Sequence, residues 1–356
     1  MTAEDRALVW LCSLEGLEYR ERAALLRAAG DPVKLFEDWE KFLPLLTQSN
    51  QSRVYKKGRA ARERDADGFI SSLREKDRFA VTIFSDDYPE LLRQIATPPF
   101  VLFGEGNRAL LKERKFCIVG SRKIPAWADQ AGRSIASALT AKFAVVTGFA
   151  EGGDYAAISG ALPSGKLICV LPTGLDNCYP ADHYALKSKV SKAGLLLSEY
   201  PMNERVKQHT FHARNRILAG LAEGVLVLSA GRRSGTMITA NAALDCGRDV
   251  FALPHNANAA SGEGCNELIK NGAGLVTGAE DLFAHYGLKA EEAEASALPP
   301  EEEKVLRVLR EYGELHVSVI AERADVPVYE AAAILSALEI KNLAVKSGGN
   351  KYSAVR

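Results

Sequence analysis

Cys117-Ile118-Val119-Gly120-Ser121-Arg122-Lys123 is the stretch on which the fold turns. An apolar run ends at a glycine, then a hydroxyl and two cations, and a helical pattern over 127–142 begins a few residues later. Strand, tight turn and helix start in that order make a phosphate cradle. Glycine lets backbone N–H groups approach an anion, and the helix N-terminus adds a favourable dipole. Ser121 can donate a hydrogen bond, and the Arg122 guanidinium can grip a phosphate with two.

The same grammar repeats along the chain. Strand patterns at 116–119, 144–147, 167–171, 194–198, 224–228, 249–252 and 273–276 alternate with helical ones, such as 153–161. Two further short strands precede them, at 80–84 and near 100–104. Near-continuous apolar strands separated by helices predict an α/β fold with a Rossmann-like, mostly parallel sheet covered on both faces. Residues 1–75 read as a small helical domain, punctuated by Gly16 and Gly30-Asp31-Pro32. The sheet domain then occupies 76–288. An acidic, Ala-rich linker at 289–297 leads to Pro299-Pro300. The segment 298–356 reads as three helices and a hairpin with a Gly348-Gly349 turn, the order of a winged helix-turn-helix.

Composition excludes several classes. The 356 residues are 47% hydrophobic and 25% charged, as in a water-soluble globular protein. The 45 basic residues are balanced by 45 acidic ones, so a nucleic-acid site must be a local patch. The charged segment carrying Lys56, Lys57, Arg59, Arg62 and Arg64 reads first as a solvated helix face and second as an accessory DNA contact. No two of the six cysteines form a C-x-x-C pair, which points to buried reduced thiols in the cytoplasm. His209, His212 and His255 have no cysteine or carboxylate set to complete a metal site, and no cofactor is expected. No basic leader precedes an apolar core at the N-terminus, and no apolar run reaches the roughly 18 residues of a membrane span.

Three more loops carry chemistry. Thr147-Gly148-Phe149-Ala150-Glu151-Gly152-Gly153-Asp154 again follows a strand and opens a helix, but it lacks the G-x-G-x-x-G order of a dinucleotide site. A plain glycine turn is the competing interpretation. Phe211-His212-Ala213-Arg214-Asn215-Arg216 combines a ring that can stack a base with two guanidinium groups that can hold a backbone, although a packing Phe beside surface arginines would look the same. Lys207, Gln208 and His209 extend this polar surface. Ser229-Ala230-Gly231-Arg232-Arg233-Ser234-Gly235-Thr236 sets hydroxyls and arginines at a helix start and suits a second phosphate. Such loops converge at the carboxyl edge of an open α/β sheet, where ligands bind.

The order of these motifs resembles the DNA-processing protein A (DprA/Smf) family over nearly the whole chain. The resemblance is carried by Ile118–Lys123, Thr147-Gly148, Gly174-Leu175-Asp176 with Tyr179-Pro180, Leu197-Ser198-Glu199-Tyr200-Pro201, Arg214-Asn215-Arg216, Arg233-Ser234-Gly235-Thr236 and 247–252. It implies an N-terminal helical, SAM-like domain, an extended Rossmann-like domain and a C-terminal winged helix. It also implies single-stranded DNA as ligand, a homodimer, and loading of the RecA recombinase during natural transformation, without catalysis. Gly120, Ser121, Arg122 and Lys123 then belong to the phosphate site, with Gly148, Gly174, Ser234, Gly235 and Thr236 shaping anion pockets. Arg214, Asn215 and Arg216 hold the backbone beside Phe211. Glu151 and Glu263 depart from the family's tendency to basic residues there, and each should weaken binding.

Two other functions compete. A nucleoside-monophosphate phosphoribohydrolase with a similar core uses a catalytic Glu, but Thr239 stands at the matching position. A hydroxyl cannot replace a carboxylate as base. A nucleotide sensor could use the same cradle, although Phe211 with paired arginines favours a polymer. The third C-terminal helix, from Val328, is mostly apolar with one basic residue, Lys341, so protein contact or packing is expected rather than duplex reading.

Overall fold

The computed structural model describes residues 1–14, 16–46, 51, 66–289, 298–340 and 343–354. The basic cluster Lys56–Arg64 and residues 290–297 of the expected linker lie outside them. The chain divides into two units, Met1–Asp281 and Leu282–Arg356.

In the first unit nine strands form one sheet: β1 Arg78–Thr82, β2 Val101–Gly106, β3 Lys115–Val119, β4 Ala144–Thr147, β5 Leu167–Val170, β6 Leu195–Ser198, β7 Gly224–Val227, β8 Asp249–Ala252 and β9 Gly274–Leu275. Their order is β1-β2-β6-β5-β4-β3-β7-β8-β9. From β6 to β9 every pairing is parallel, while β2 joins β6 and β1 joins β2 antiparallel. The mostly parallel α/β sheet expected from the repeated strand-helix pattern is thus present.

β3 is strand because its apolar side chains are wanted on both faces. Cys117 and Val119 join a core with Ile217, Leu218, Ala240 and Ala243 from the helices Gln208–Leu221 and Gly235–Asp245. Alternation sends Phe116 and Ile118 to the other face, and both are fully buried. Ala126–Leu139 and Gly153–Ala161 pair across small residues, a Cβ on Gly132 lying 3.3 Å from Ala156 Cβ. Burying one such Leu or Ile side chain stabilises the fold by about 1.5–3 kcal/mol.

The chain runs from β3 through β4 and β5 to β6 on one side. It then returns to β7 on the other side of β3 and continues to β8 and β9. The strand order therefore reverses between β3 and β7, and this is where an open sheet leaves a crevice at its carboxyl edge.

Four short helices begin the unit: Ala3–Ser13, Tyr19–Ala29, Pro32–Glu37 and Trp39–Phe42. They close around Trp10, Leu25, Leu35 and Trp39. The first is capped reciprocally, Asp5 N–H donating to Thr2 Oγ1 at 3.1 Å and Thr2 N–H to Asp5 Oδ2 at 2.8 Å. Thr82 Oγ1 donates to Asp5, and the rings of Tyr19 and Phe100 stack at 5.0 Å, so these helices are seated on the sheet.

The second unit holds helices Pro300–Tyr312, Val317–Ala324 and Val328–Ile340 with a three-stranded antiparallel sheet. The sheet order is β10 (Leu315–His316), β12 (Lys351–Ala354), β11 (Ala344–Ser347), around a core of Val305, Leu309, Ile320, Leu335 and Leu338. The Gly348-Gly349 turn joins β11 to β12, with Gly349 at φ +73°. No helix among the described residues is long and apolar enough to cross a membrane.

Candidate functional site

A cavity of about 380 Å³ opens at the carboxyl ends of β3 and β7. One wall is made of hydroxyls: Ser121 from the loop after β3, and Ser234, Thr236 and Thr239 from the start of the 235–245 helix. Ser234 caps that helix, accepting the Thr236 N–H at 3.2 Å, and its hydroxyl lies 3.4 Å from that of Ser121. The β3 loop is held rigid. Ser121 N–H donates to Ser229 O at 2.8 Å, and Gly153 N–H donates to Ser121 O at 3.1 Å. Gly120 and Gly153 touch backbone to backbone, a Cβ on Gly120 lying 2.9 Å from Gly153 Cα, so neither site has room for a side chain.

The opposite wall is one face of the 208–221 helix: Phe211, Arg214, Asn215 and Leu218, at i, i+3, i+4 and i+7. Arg122 reaches over it, exposed to solvent, its guanidinium carbon 5.3 Å from the Phe211 ring centre and 6.0 Å from that of Tyr179. The two rings meet edge to face at 5.3 Å. No carboxylate among the described residues forms a salt bridge with Arg122. The arrangement offers an exposed cation above an aromatic ring, beside hydroxyls at a helix N-terminus, and it suits a phosphate with an attached base.

The floor is different. Arg214 is buried, with Nη1 donating to Val170 O at 2.6 Å and Nε to Asn215 Oδ1 at 3.2 Å. Asp154 is buried against it. Burial pushes the Asp154 carboxyl up to about 6, while the Arg214 charge and the Ala150 N–H pull it down. Burial also lowers Arg214 from the usual arginine range, opposed by Asp154.

The structure gathers Gly120, Ser121, Arg122, Phe211, Arg214, Asn215, Ser234, Gly235 and Thr236 at the cavity. It places the other expected residues elsewhere. Arg216 faces away, ion-paired with the buried Glu199 and donating to Thr97 O at 2.6 Å, with its guanidinium over Tyr19. Gly174 lies in the loop after β5, packed against the Pro201 and Met202 carbonyls. Gly148 sits behind the Asp154–Arg214 pair, and Lys123 is exposed outside the lining. Arg214 lines the cavity as a fixed charge below it, not as an exposed hook. Gln208, expected to extend the polar surface beside Phe211, lines the cavity, as do Asp154 and His212, to which the sequence assigns no role. Glu151 and Glu263 are exposed and outside it. No group of three or more His, Cys, Asp or Glu among the described residues is placed to hold a metal.

Residues 79–287 match the family model of DNA recombination-mediator protein A. The chain belongs to that family. DNA processing protein DprA of Streptococcus pneumoniae is 40% identical over 206 residues, covering 58% of this chain and 73% of its own. The X-ray structure of the Streptococcus pneumoniae protein superposes with a TM-score of 0.67 at 32% identity, over 78% of this chain and 97% of that one. A structure of DNA processing protein A from Helicobacter pylori, described for its single-stranded DNA binding mode, gives 0.54 at 28% identity over 59% and 95%. Within this family's sheet domain, the cavity lies at the point where the strand order reverses.

Proposed function

We propose that this chain binds single-stranded DNA in the cleft between β3 and the 208–221 helix, without sequence preference and without catalysis. The observation that carries this reading is Arg122, solvent-exposed and poised over Phe211 beside the Ser121–Ser234 hydroxyl pair. A base stacks on the ring, and the phosphate meets the guanidinium, the hydroxyls and the 235–245 helix N-terminus. The Helicobacter pylori relative's single-stranded DNA binding mode supports the assignment. The non-catalytic reading is supported by Asp154. It is the one carboxylate lining the cavity among the described residues, and it is engaged by the Ala150 N–H and the Arg214 charge. Thr239 stands where the hydrolase reading needs a carboxylate.

The recombination-mediator family supports a role in which the cytoplasmic protein, as a homodimer, protects incoming DNA during transformation and passes it to RecA. In this reading the C-terminal unit is a winged helix serving protein contact. Its third helix presents Val328 and Tyr329 to solvent, 51% and 79% exposed, where a groove reader would present cations.

The test is fluorescence anisotropy of a labelled oligothymidylate against matched duplex, at two salt concentrations, with wild type and Arg122→Ala. Salt-sensitive preference for the single strand, weakened by at least about 1 kcal/mol in Arg122→Ala, is expected. Equal binding of both DNAs, or indifference to Arg122→Ala, would assign the cradle to another ligand.

A further inference from the structure

We infer that Trp127 is a second base-stacking platform, taking the nucleotide next to the one held in the cleft. The inference rests on the single-strand reading above and extends it to a residue outside the cavity lining.

Trp127 is the second residue of the 126–139 helix, five positions after Arg122, and its side chain is 48% exposed. Exposed apolar side chains are ordinary when isolated, but this ring is held in place. It meets the His255 ring edge to face at 4.7 Å. His255 is itself fixed at three points. Its N–H donates to Asn266 Oδ1 at 3.0 Å, its carbonyl accepts from Asn266 Nδ2 at 3.0 Å, and its Nε2 donates to Leu228 O at 2.9 Å. Leu228 immediately precedes Ser229, whose carbonyl anchors Ser121. A short chain of direct contacts therefore runs from the cleft wall at Ser121 through the end of β7 to His255 and Trp127. Trp127 stands at the start of the helix that follows β3, at the far end of the loop that carries Ser121 and Arg122.

The charge around it suits a polyanion. Arg122 and Lys123 are exposed on that loop, and Arg232 and Arg233 on the neighbouring loop after β7. Arg232 is partly neutralised by Glu267 at 3.4 Å. A strand leaving the Phe211–Arg122 site over this loop keeps its phosphates on cations and brings its next base to an immobilised, half-exposed indole. Such stacking is tolerant of sequence, as the cleft is.

The sequence supplies its own reporter. The chain has three tryptophans, and Trp10 and Trp39 are only 4% and 3% exposed. Tryptophan emission excited at 295 nm should be quenched on adding a long oligothymidylate and unchanged by thymidine monophosphate, which fills the cleft alone. Trp127→Phe should abolish the quenching and, keeping a smaller stacking ring, lose less affinity for the labelled oligomer than Trp127→Ala. Trp127→Ala should weaken that affinity about tenfold, as loss of one base-aromatic stack does. Unchanged emission of the wild type at saturating oligomer, or wild-type affinity in Trp127→Ala, overturns the inference. Because the emission test uses wild type, it holds even if a variant fails to fold. If the oligomer does not bind, or binds regardless of Arg122, the cleft reading itself fails. If it binds through Arg122 with silent Trp127, only this extension is lost.

Discussion

Gly148 has no side chain because Asp154 and Arg214 occupy the space one would need. A Cβ at Gly148 would collide with Asp154 Oδ2 and lie within 2.5 Å of Arg214 Nη1. Gly148 therefore serves the two charges behind the cavity and is not itself part of the lining. It lets two opposite charges sit together beneath the cavity, and the field they set there depends on their staying in place.

Gly148→Ala is expected to displace that pair. Overpacking of a buried site typically costs about 1–3 kcal/mol. Urea denaturation should show a lower midpoint, and affinity for oligothymidylate should fall as the floor shifts. An unchanged midpoint would mean that the loop relaxes freely and that the pair is not held by it.

Asp154 should make binding depend on pH. Burial holds its carboxyl up at about 6, above the 3.8 of a free side chain. The protonated form is thus favoured by the fold. Its stabilising contribution is complete below about 3.8 and is lost as pH rises through about 6. The same ionisation puts a negative charge under a phosphate. In a His212→Gln background, where that imidazole no longer faces the cavity, oligothymidylate affinity should rise between pH 7.5 and 5.5. Adding Asp154→Asn should flatten the rise. A slope that persists in the double variant would place the titrating group elsewhere.

Three arginines that look alike in sequence should behave differently. Arg122→Ala should leave the thermal midpoint unchanged and reduce the salt slope of binding by about 0.7, the value of one phosphate contact on a single strand. Arg214→Ala removes the donor to Val170 O and leaves the buried Asp154 only the weaker influence of Arg122, and should cost about 3–5 kcal/mol of stability. Arg216→Ala should destabilise by orphaning buried Glu199, yet leave the salt slope of the folded fraction at the wild-type value. A reduced slope in Arg216→Ala would contradict its position away from the cleft.

These arginines also mark where sequence reasoning stopped. The sheet and the Gly120–Arg122 cradle were legible because they are local: an apolar strand, a glycine and a helix start leave few alternatives. The antiparallel additions β1 and β2 were legible as strands, but their pairing with each other and with β6 is a long-range choice. The assignment of both Arg214 and Arg216 to phosphates overlooked helix phase. Residues two apart on a helix point about 200° apart, so both could not face one cleft. The spacing of Phe211, Arg214, Asn215 and Leu218 already contained the correct face. Asp154 is not legible as a lining residue, because a carboxylate in an anion site runs against charge complementarity. It is accommodated only because Arg214, 60 residues later in the chain, folds in beside it.

Gly235 separates what the fold requires from what a ligand requires. It is exposed at the first turn of its helix, has no positive φ, and a methyl group added there would meet no atom within 4 Å, so the protein itself does not need glycine at this position. It nonetheless lines the cavity beside Ser234 and Thr236. Gly235→Ala should therefore fold as well as wild type, or gain a few tenths of a kcal/mol from reduced backbone freedom in the unfolded chain. If a phosphate approaches the helix N-terminus at this point, the methyl group stands in its path, and affinity for oligothymidylate should fall severalfold. A variant of equal stability and equal affinity would mean that the strand passes over Arg122 and Phe211 without descending to the 235–245 helix.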